Sequence, residues 1–177
     1  MCRVVVTGGP GAGKTTLLAE LAARGYATVS ESAREVIAAS LAQGLPPRPD
    51  PASFASEILR IDDEKYHRRN RSAGLVFYDR SALEALAMFH EASPLGVEEL
   101  KVKLLGYTFH RTVFVLPPWK AIYVNDNERD QDFEHAVTVH DQIVRWYSRC
   151  GYKISIVPCL EVGQRARHVL QAIANDA

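Results

Sequence analysis

The sequence predicts an α/β fold: three layers, with a five-stranded parallel sheet between helices. Three observations predict it. Short β-branched apolar runs alternate with stretches of helical period along the whole chain. A glycine-rich turn, Gly8 to Gly13, links the first run to the first helix. Polar residues also gather where the strands end, the carboxyl edge at which such sheets present ligands.

The first strand is expected over Arg3 to Thr7, and the first helix runs to about Arg24, stopped at Gly25. Tyr26 to Val29 is a short second strand. Ser30 or Ser32 can cap a helix from about Glu31 to Gln43. The proline-stiffened connector Leu45 to Pro51 leads into a long helix from about Ala52 to Asn70. Leu75 to Tyr78 is a buried-type strand, followed by helices over Ala82 to Phe89 and Val97 to Leu105. Thr112 to Leu116 is the fourth strand. A polar irregular stretch, Pro117 to Asp132, precedes a helix from Phe133 to Cys150. Lys153 to Val157 and Val162 to Asn175 are the last strand and helix. No repeat or linker interrupts the pattern, so residues 1–177 are expected to form one domain.

Composition narrows the function classes. The chain is 47% apolar and 24% charged, and 21 basic residues balance 21 acidic ones. Zero net charge argues against a nucleic-acid partner, because gripping a phosphate backbone takes an excess of Lys and Arg. No apolar run is long enough to span a bilayer, and the first strand leaves no room for a leader, so the expected location is the cytoplasm. Cys2, Cys150 and Cys159 are odd in number and lack C-x-x-C spacing, as expected of buried thiols in a reducing compartment. The six histidines show no zinc-binding spacing.

The turn carries the sharpest chemistry. Gly8-Gly9-Pro10-Gly11-Ala12-Gly13-Lys14-Thr15 satisfies G-x-x-x-x-G-K-[ST] at every fixed position, between a strand and a helix. Glycines there let successive backbone N–H groups turn inward around a triphosphate, and the new helix adds its positive end. The expected cradle is Gly9, Pro10, Gly11, Ala12, Gly13, Lys14, Thr15 and Thr16. Lys14 would reach the β- and γ-phosphates of ATP, and the Thr15 hydroxyl would ligate Mg²⁺.

The strand ends supply partners for that cradle. Asp79, after strand three, can hold the metal or cap the next helix, and Arg80 beside it can neutralise phosphate charge. Glu31, after strand two, can accept the proton of an attacking hydroxyl, with Arg34 orienting the acceptor. The plainer reading is a favourable first-turn acid with Arg34 in a local ion pair. The stretch 117–132 has the make-up of a mobile lid. Arg129 in it is a candidate to close on the phosphates, or part of a solvated loop ending in an N-cap at Asp132. Trp119 gates a pocket or anchors the loop by packing. The cluster Lys65, His67, Arg68, Arg69, Arg71 reads as a solvated basic helix end or as a patch for an anionic partner.

With G-x-P-G-x-G-K-T, Glu31 to Glu35, Asp79-Arg80, Pro117-Pro118-Trp119, the Asp-x-Glu-Arg-x-Gln segment and the Val157-Pro158 turn in view, the chain resembles the P-loop small-molecule and nucleotide kinases. More narrowly, it resembles a bacterial group of AAA-named ATPases related to the kinase domain of nicotinamide riboside kinases. The resemblance implies strand order 2-3-1-4-5, a kinase-like lid and an adenine resting near the loop after Val157. It also implies two adjacent lid arginines, where this chain has Arg129 and then Asp130. The length argues against a helical small domain and a ring-forming motor. Two readings of function follow: a kinase using ATP and Mg²⁺ on a small hydroxyl- or phosphate-bearing acceptor, or an ATPase switching a protein partner. A kinase acting on polynucleotide ends is the third, disfavoured by the charge balance. Neither the acceptor nor the oligomeric state is written in the sequence.

Overall fold

The computed structural model describes residues 2–48, 50–68, 74–123 and 133–176. The elements in chain order are β1 (Cys2–Gly8), α1 (Lys14–Ala23), β2 (Ala27–Val29), α2 (Ser32–Ala42), α3 (Pro51–Arg68), β3 (Leu75–Asp79), α4 (Ala82–Ala92) and α5 (Val97–Leu105). They continue with β4 (Thr112–Leu116), a 3₁₀ turn at Lys120–Ile122, α6 (Phe133–Arg149), β5 (Lys153–Ile156) and α7 (Val162–Asn175). The five strands form one sheet in the order β2-β3-β1-β4-β5. The pairings of β1 with β3 and β4, and of β4 with β5, are parallel. This is the order that the family resemblance implies.

The chain groups into two compact units. The first comprises Cys2–Thr28, Leu75–Asp79 and Phe109–Ala177 and holds the central strands. Alternation along those strands makes its two faces. Val4, Val6, Phe77, Phe114 and Leu116 pack with Leu17, Leu18 and Leu21 of α1 and Ala166, Val169 and Ile173 of α7. Their neighbours Val5, Val76, Val113 and Val115 point the other way and are as fully buried. Helix α6 runs along β1, β4 and β5, sinking Ala136, Ile143 and Tyr147. Burial on both faces is why these strands read as continuous apolar runs. Strand β5, at the sheet edge, is partly exposed.

The second unit comprises Val29–Gly74 and Arg80–Thr108, and its helices α3 and α4 make the main contact. Val36, Phe54, Ile58 and Ala85 form its core. Pro51 opens α3, where its missing N–H costs nothing, and Asp50 caps the helix by accepting from Ser53 N at 3.0 Å.

Several local expectations change. Neither Ser30 nor Ser32 caps α2: Glu31 takes the N-cap position without a side-chain cap, and Ser32 lies inside the helix. Asp79 does not cap α4 either, because the Ser81 hydroxyl accepts from Leu83 N at 3.2 Å and fills that role. Cys2 and Cys150 are half-buried, but Cys159 is exposed, since it lies beyond β5 in the turn to α7. All three thiols are free. No described helix is long and apolar enough to cross a membrane.

Candidate functional site

In the first unit, β1 runs straight into the glycine-rich turn. Gly9 is pressed against α6 so closely that a Cβ there would lie 2.5 Å from the Ala136 carbonyl oxygen. Gly13 stands at φ 83°, the left-handed region, and its carbonyl accepts from Leu17 N at 3.2 Å to open α1. Ala12 points into the core and fixes the turn from below. Lys14 is only 7% exposed and donates from Nζ to the carbonyls of Gly8 at 3.1 Å and Gly9 at 3.0 Å. The ammonium thus folds back across the turn instead of reaching into solvent. Thr15 and Thr16 occupy the first turn of α1 and are exposed.

Asp79 closes β3 in register with Val6 of β1, two residues before the turn, and is 8% exposed. The backbone therefore sets this carboxylate beside the exit of β1. The 3₁₀ turn after β4 lies over the glycines. A Cβ on Gly11 would meet the Tyr123 ring at 2.5 Å, and one on Gly13 would meet Ile122 Cδ1 at 3.1 Å. Trp119 is partly buried, with the Arg165 guanidinium 5.5 Å over its ring, so it anchors this segment by packing. Residues 124–132, and with them Arg129, Asp130 and Asp132, lie outside the described residues.

The second unit carries a charged clamp. Glu31 accepts from Arg80 Nε at 2.8 Å and from Arg34 Nε at 3.1 Å, the latter the local ion pair foreseen. Arg80 Nη1 also donates to Glu84 at 2.8 Å. Arg80 is the one non-glycine among the described residues at positive φ, 65°. Such a conformation costs about 1–3 kcal/mol and persists only where the surroundings over-determine it. Here two carboxylates hold the side chain.

Beside the clamp, Lys65 donates to Ser30 O at 2.8 Å and Ser32 Oγ at 2.9 Å, and pairs with Glu35 at 2.7 Å. The Ser32 hydroxyl in turn donates to Asp62. Burial pushes the Asp62 carboxyl up to about 6, against the pull of the Ser32 hydrogen bond and the Lys65 charge, with Glu84 and Glu31 adding to the rise. Lys65 is therefore a buttress rather than part of a solvated basic end. His67 and Arg68 make i,i+4 pairs with Asp63 and Glu64, and Arg69 and Arg71 lie outside the described residues.

Sequence reasoning missed Asp62, Glu84 and Arg165, and read Lys65 only as part of a basic helix end or anion patch. For Asp62 a signal existed. It stands four residues after Ile58 on the stripe of α3 that buries Phe54 and Ile58, and a carboxylate on a core-facing stripe demands partners. No group of three or more metal-ligating His, Cys, Asp or Glu residues occurs among the described residues.

The sequence profile of a family described as "AAA domain" matches residues 3–165. No curated protein matches the sequence. Among solved structures, a NadR protein in complex with NR superposes with a TM-score of 0.73 at 22% identity, covering 98% of this chain and 51% of that one. This chain thus spans about half the length of that protein. A deoxyadenosine kinase from M. mycoides with bound dATP gives 0.64 at 14% identity, covering 98% and 100%. NadR in complex with NAD and AMP-PNP gives 0.63 at 19% identity, covering 98% and 49%. At these identities the likeness is one of fold, that of the P-loop kinases.

Proposed function

The chain belongs to the AAA domain family, and we propose that it is an ATP- and Mg²⁺-dependent phosphotransferase acting on a small hydroxyl- or phosphate-bearing acceptor, nucleoside-like in kind. One observation supports the reading: the glycine turn, with its left-handed Gly13, opens α1 at Lys14, whose ammonium is folded across the turn, as an amide-lined anion cradle requires. Fold neighbours support the nucleotide and nucleoside classes: a deoxyadenosine kinase solved with dATP, and a NadR protein solved with NR and with NAD and AMP-PNP.

In this proposal the amides from Gly9 to Thr16 and the Lys14 ammonium hold the β- and γ-phosphates. The donor set suits a hard cation: Thr15, an exposed residue in the first turn of α1, carries a hydroxyl, and Asp79 supplies a carboxylate beside the exit of β1. Thr15 and Asp79 would hold Mg²⁺, which when bound neutralises charge building on the phosphate oxygens. Glu31 takes the proton of the acceptor hydroxyl as that oxygen bonds to the γ-phosphorus. The bond from the γ-phosphorus to the bridging oxygen breaks, and ADP leaves with the electron pair. Arg34 orients the acceptor, and Arg80 and Arg129 offset the spreading negative charge. Little covalent chemistry is asked of the protein, so positioning and electrostatics supply most of the acceleration.

The test is ATP turnover measured with and without a panel of nucleosides and other small alcohols. A kinase turns over slowly alone and rises by at least about tenfold with its acceptor. Turnover indifferent to every acceptor, combined with nucleotide-dependent capture of a protein, would replace this reading with that of a switch.

A further inference from the structure

Arg165 stands apart from the residues assigned above. It enters from the first turn of α7, is 6% exposed, and lies against the glycine turn. Its Nη1 donates to the Gly13 carbonyl at 3.4 Å, and a Cβ on Gly13 would come within 2.8 Å of the same nitrogen. The guanidinium lies over Trp119. Its buried Nε has no partner, and no carboxylate forms an ion pair with it among the described residues. Cys159 and Glu161, the latter one turn earlier, act on the guanidinium through space, and Glu161 bonds Arg165 only through its backbone carbonyl.

Burying a cation without a counter-ion is costly, and evolved structures pair, hydrogen-bond or metal-link such groups. An aromatic face and one long hydrogen bond to a carbonyl offset part of that cost for Arg165. Burial drives the guanidinium in the direction of losing its charge, the opposite of what an ion-paired arginine experiences. What the described residues around it lack is an anion paired with it. Gly13, which it touches, is the residue that turns the cradle into α1.

We propose that Arg165 is a further determinant of polyphosphate affinity: a buried cation, braced on Gly13 and Trp119, whose counter-charge arrives with the nucleotide. This rests on the kinase reading above, but assigns a role to a residue outside the loop, the strand ends and the lid. The arrangement separates two effects that are usually entangled. In the empty protein the charge is a burden, and in the liganded protein it is an asset.

The experiment uses the whole chain, as wild type, Arg165→Met and Arg165→Lys, with a nonhydrolysable ATP analogue and Mg²⁺. Thermal melting is followed without ligand, and calorimetry gives the affinity. Arg165→Met should melt no lower than wild type when empty, because an unpaired buried charge has gone, yet bind the analogue about ten- to a hundred-fold more weakly. Arg165→Lys should recover part of the affinity, keeping the charge and losing the planar fork over Trp119. If Arg165→Met melts well below wild type and binds equally tightly, the residue is a structural brace and the proposal falls. If both properties are unchanged, it falls as well. Should wild type itself fail to bind, the nucleotide reading falls and carries this inference with it. That result is distinct from wild-type binding that Arg165→Met leaves intact.

Discussion

Replacing Asp62 by Asn gives a test with a sign and a size. The carboxyl is raised from 3.8 to about 6, mainly by burial, while Ser32 and Lys65 pull it down and Glu84 and Glu31 push it up. An acid whose folded pKa is raised keeps its proton over a range in which the unfolded chain has lost it. Between about pH 4 and 6 the native state holds the extra proton, so this group's contribution to stability falls as pH rises through that window. The gap corresponds to about 3 kcal/mol, a sizeable share of the total stability of a small protein. Asparagine keeps an oxygen for the Ser32 hydroxyl and has no charge to bury. Urea unfolding of both proteins from pH 4 to 7.5 isolates Asp62 and the groups coupled to it, because carboxylates away from Asp62 cancel in the difference. The stability of Asp62→Asn relative to wild type should climb by about 2.4 kcal/mol across the series, since part of the gap already lies below pH 4. A difference that stays flat within about 0.5 kcal/mol would mean that Asp62 titrates normally and that the buried network is wrongly drawn.

Gly13→Ala forces a Cβ into a left-handed position already crowded by Arg165 Nη1 at 2.8 Å and Ile122 Cδ1 at 3.1 Å. It should lose about 1–3 kcal/mol in thermal melts and most of its nucleotide affinity. Glu31→Gln removes the proposed proton acceptor but keeps a side-chain oxygen for Arg80 and Arg34. It should leave binding of the ATP analogue unchanged while lowering acceptor-stimulated turnover by about a hundredfold or more. Equal turnover would remove Glu31 from the chemistry.

The sequence was most legible where structure is decided within a few residues. The run Val4-Val5-Val6, the glycine turn and the start of α1 at Lys14 follow from local propensity and turn chemistry, and they hold in the structure. Strand order was accessible only through the family resemblance, because pairing β1 with both β3 and β4 joins residues some 70 to 110 positions apart. The N-caps were harder than the helices. Three polar residues run together at Ser30-Glu31-Ser32, and which one caps was settled by Ser32 turning to Asp62 of α3. The same holds for Asp79-Arg80-Ser81, where Ser81 took the cap.

Among the candidate site residues, those on motifs could be singled out from the sequence and those that reach across elements could not. Nothing near Arg165 in sequence announces that it will lie against Gly13, 152 residues away. Lys65 sits in a run of basic residues that resembles any helix end, and only its reach to Ser30 and Glu35 of another segment distinguishes it. Glu84, in the first turn of α4, gains its partner only because Arg80, at positive φ, turns its side chain onto it.

The most direct measurement of the central claim is calorimetric titration of the wild-type chain and of Lys14→Ala with a nonhydrolysable ATP analogue, with and without Mg²⁺. The account predicts saturable, magnesium-assisted binding to the wild type and a loss of about ten- to a hundred-fold in affinity when the ammonium is removed. Heat absent from the wild-type titration, or an affinity that Lys14→Ala leaves unaltered, would contradict it.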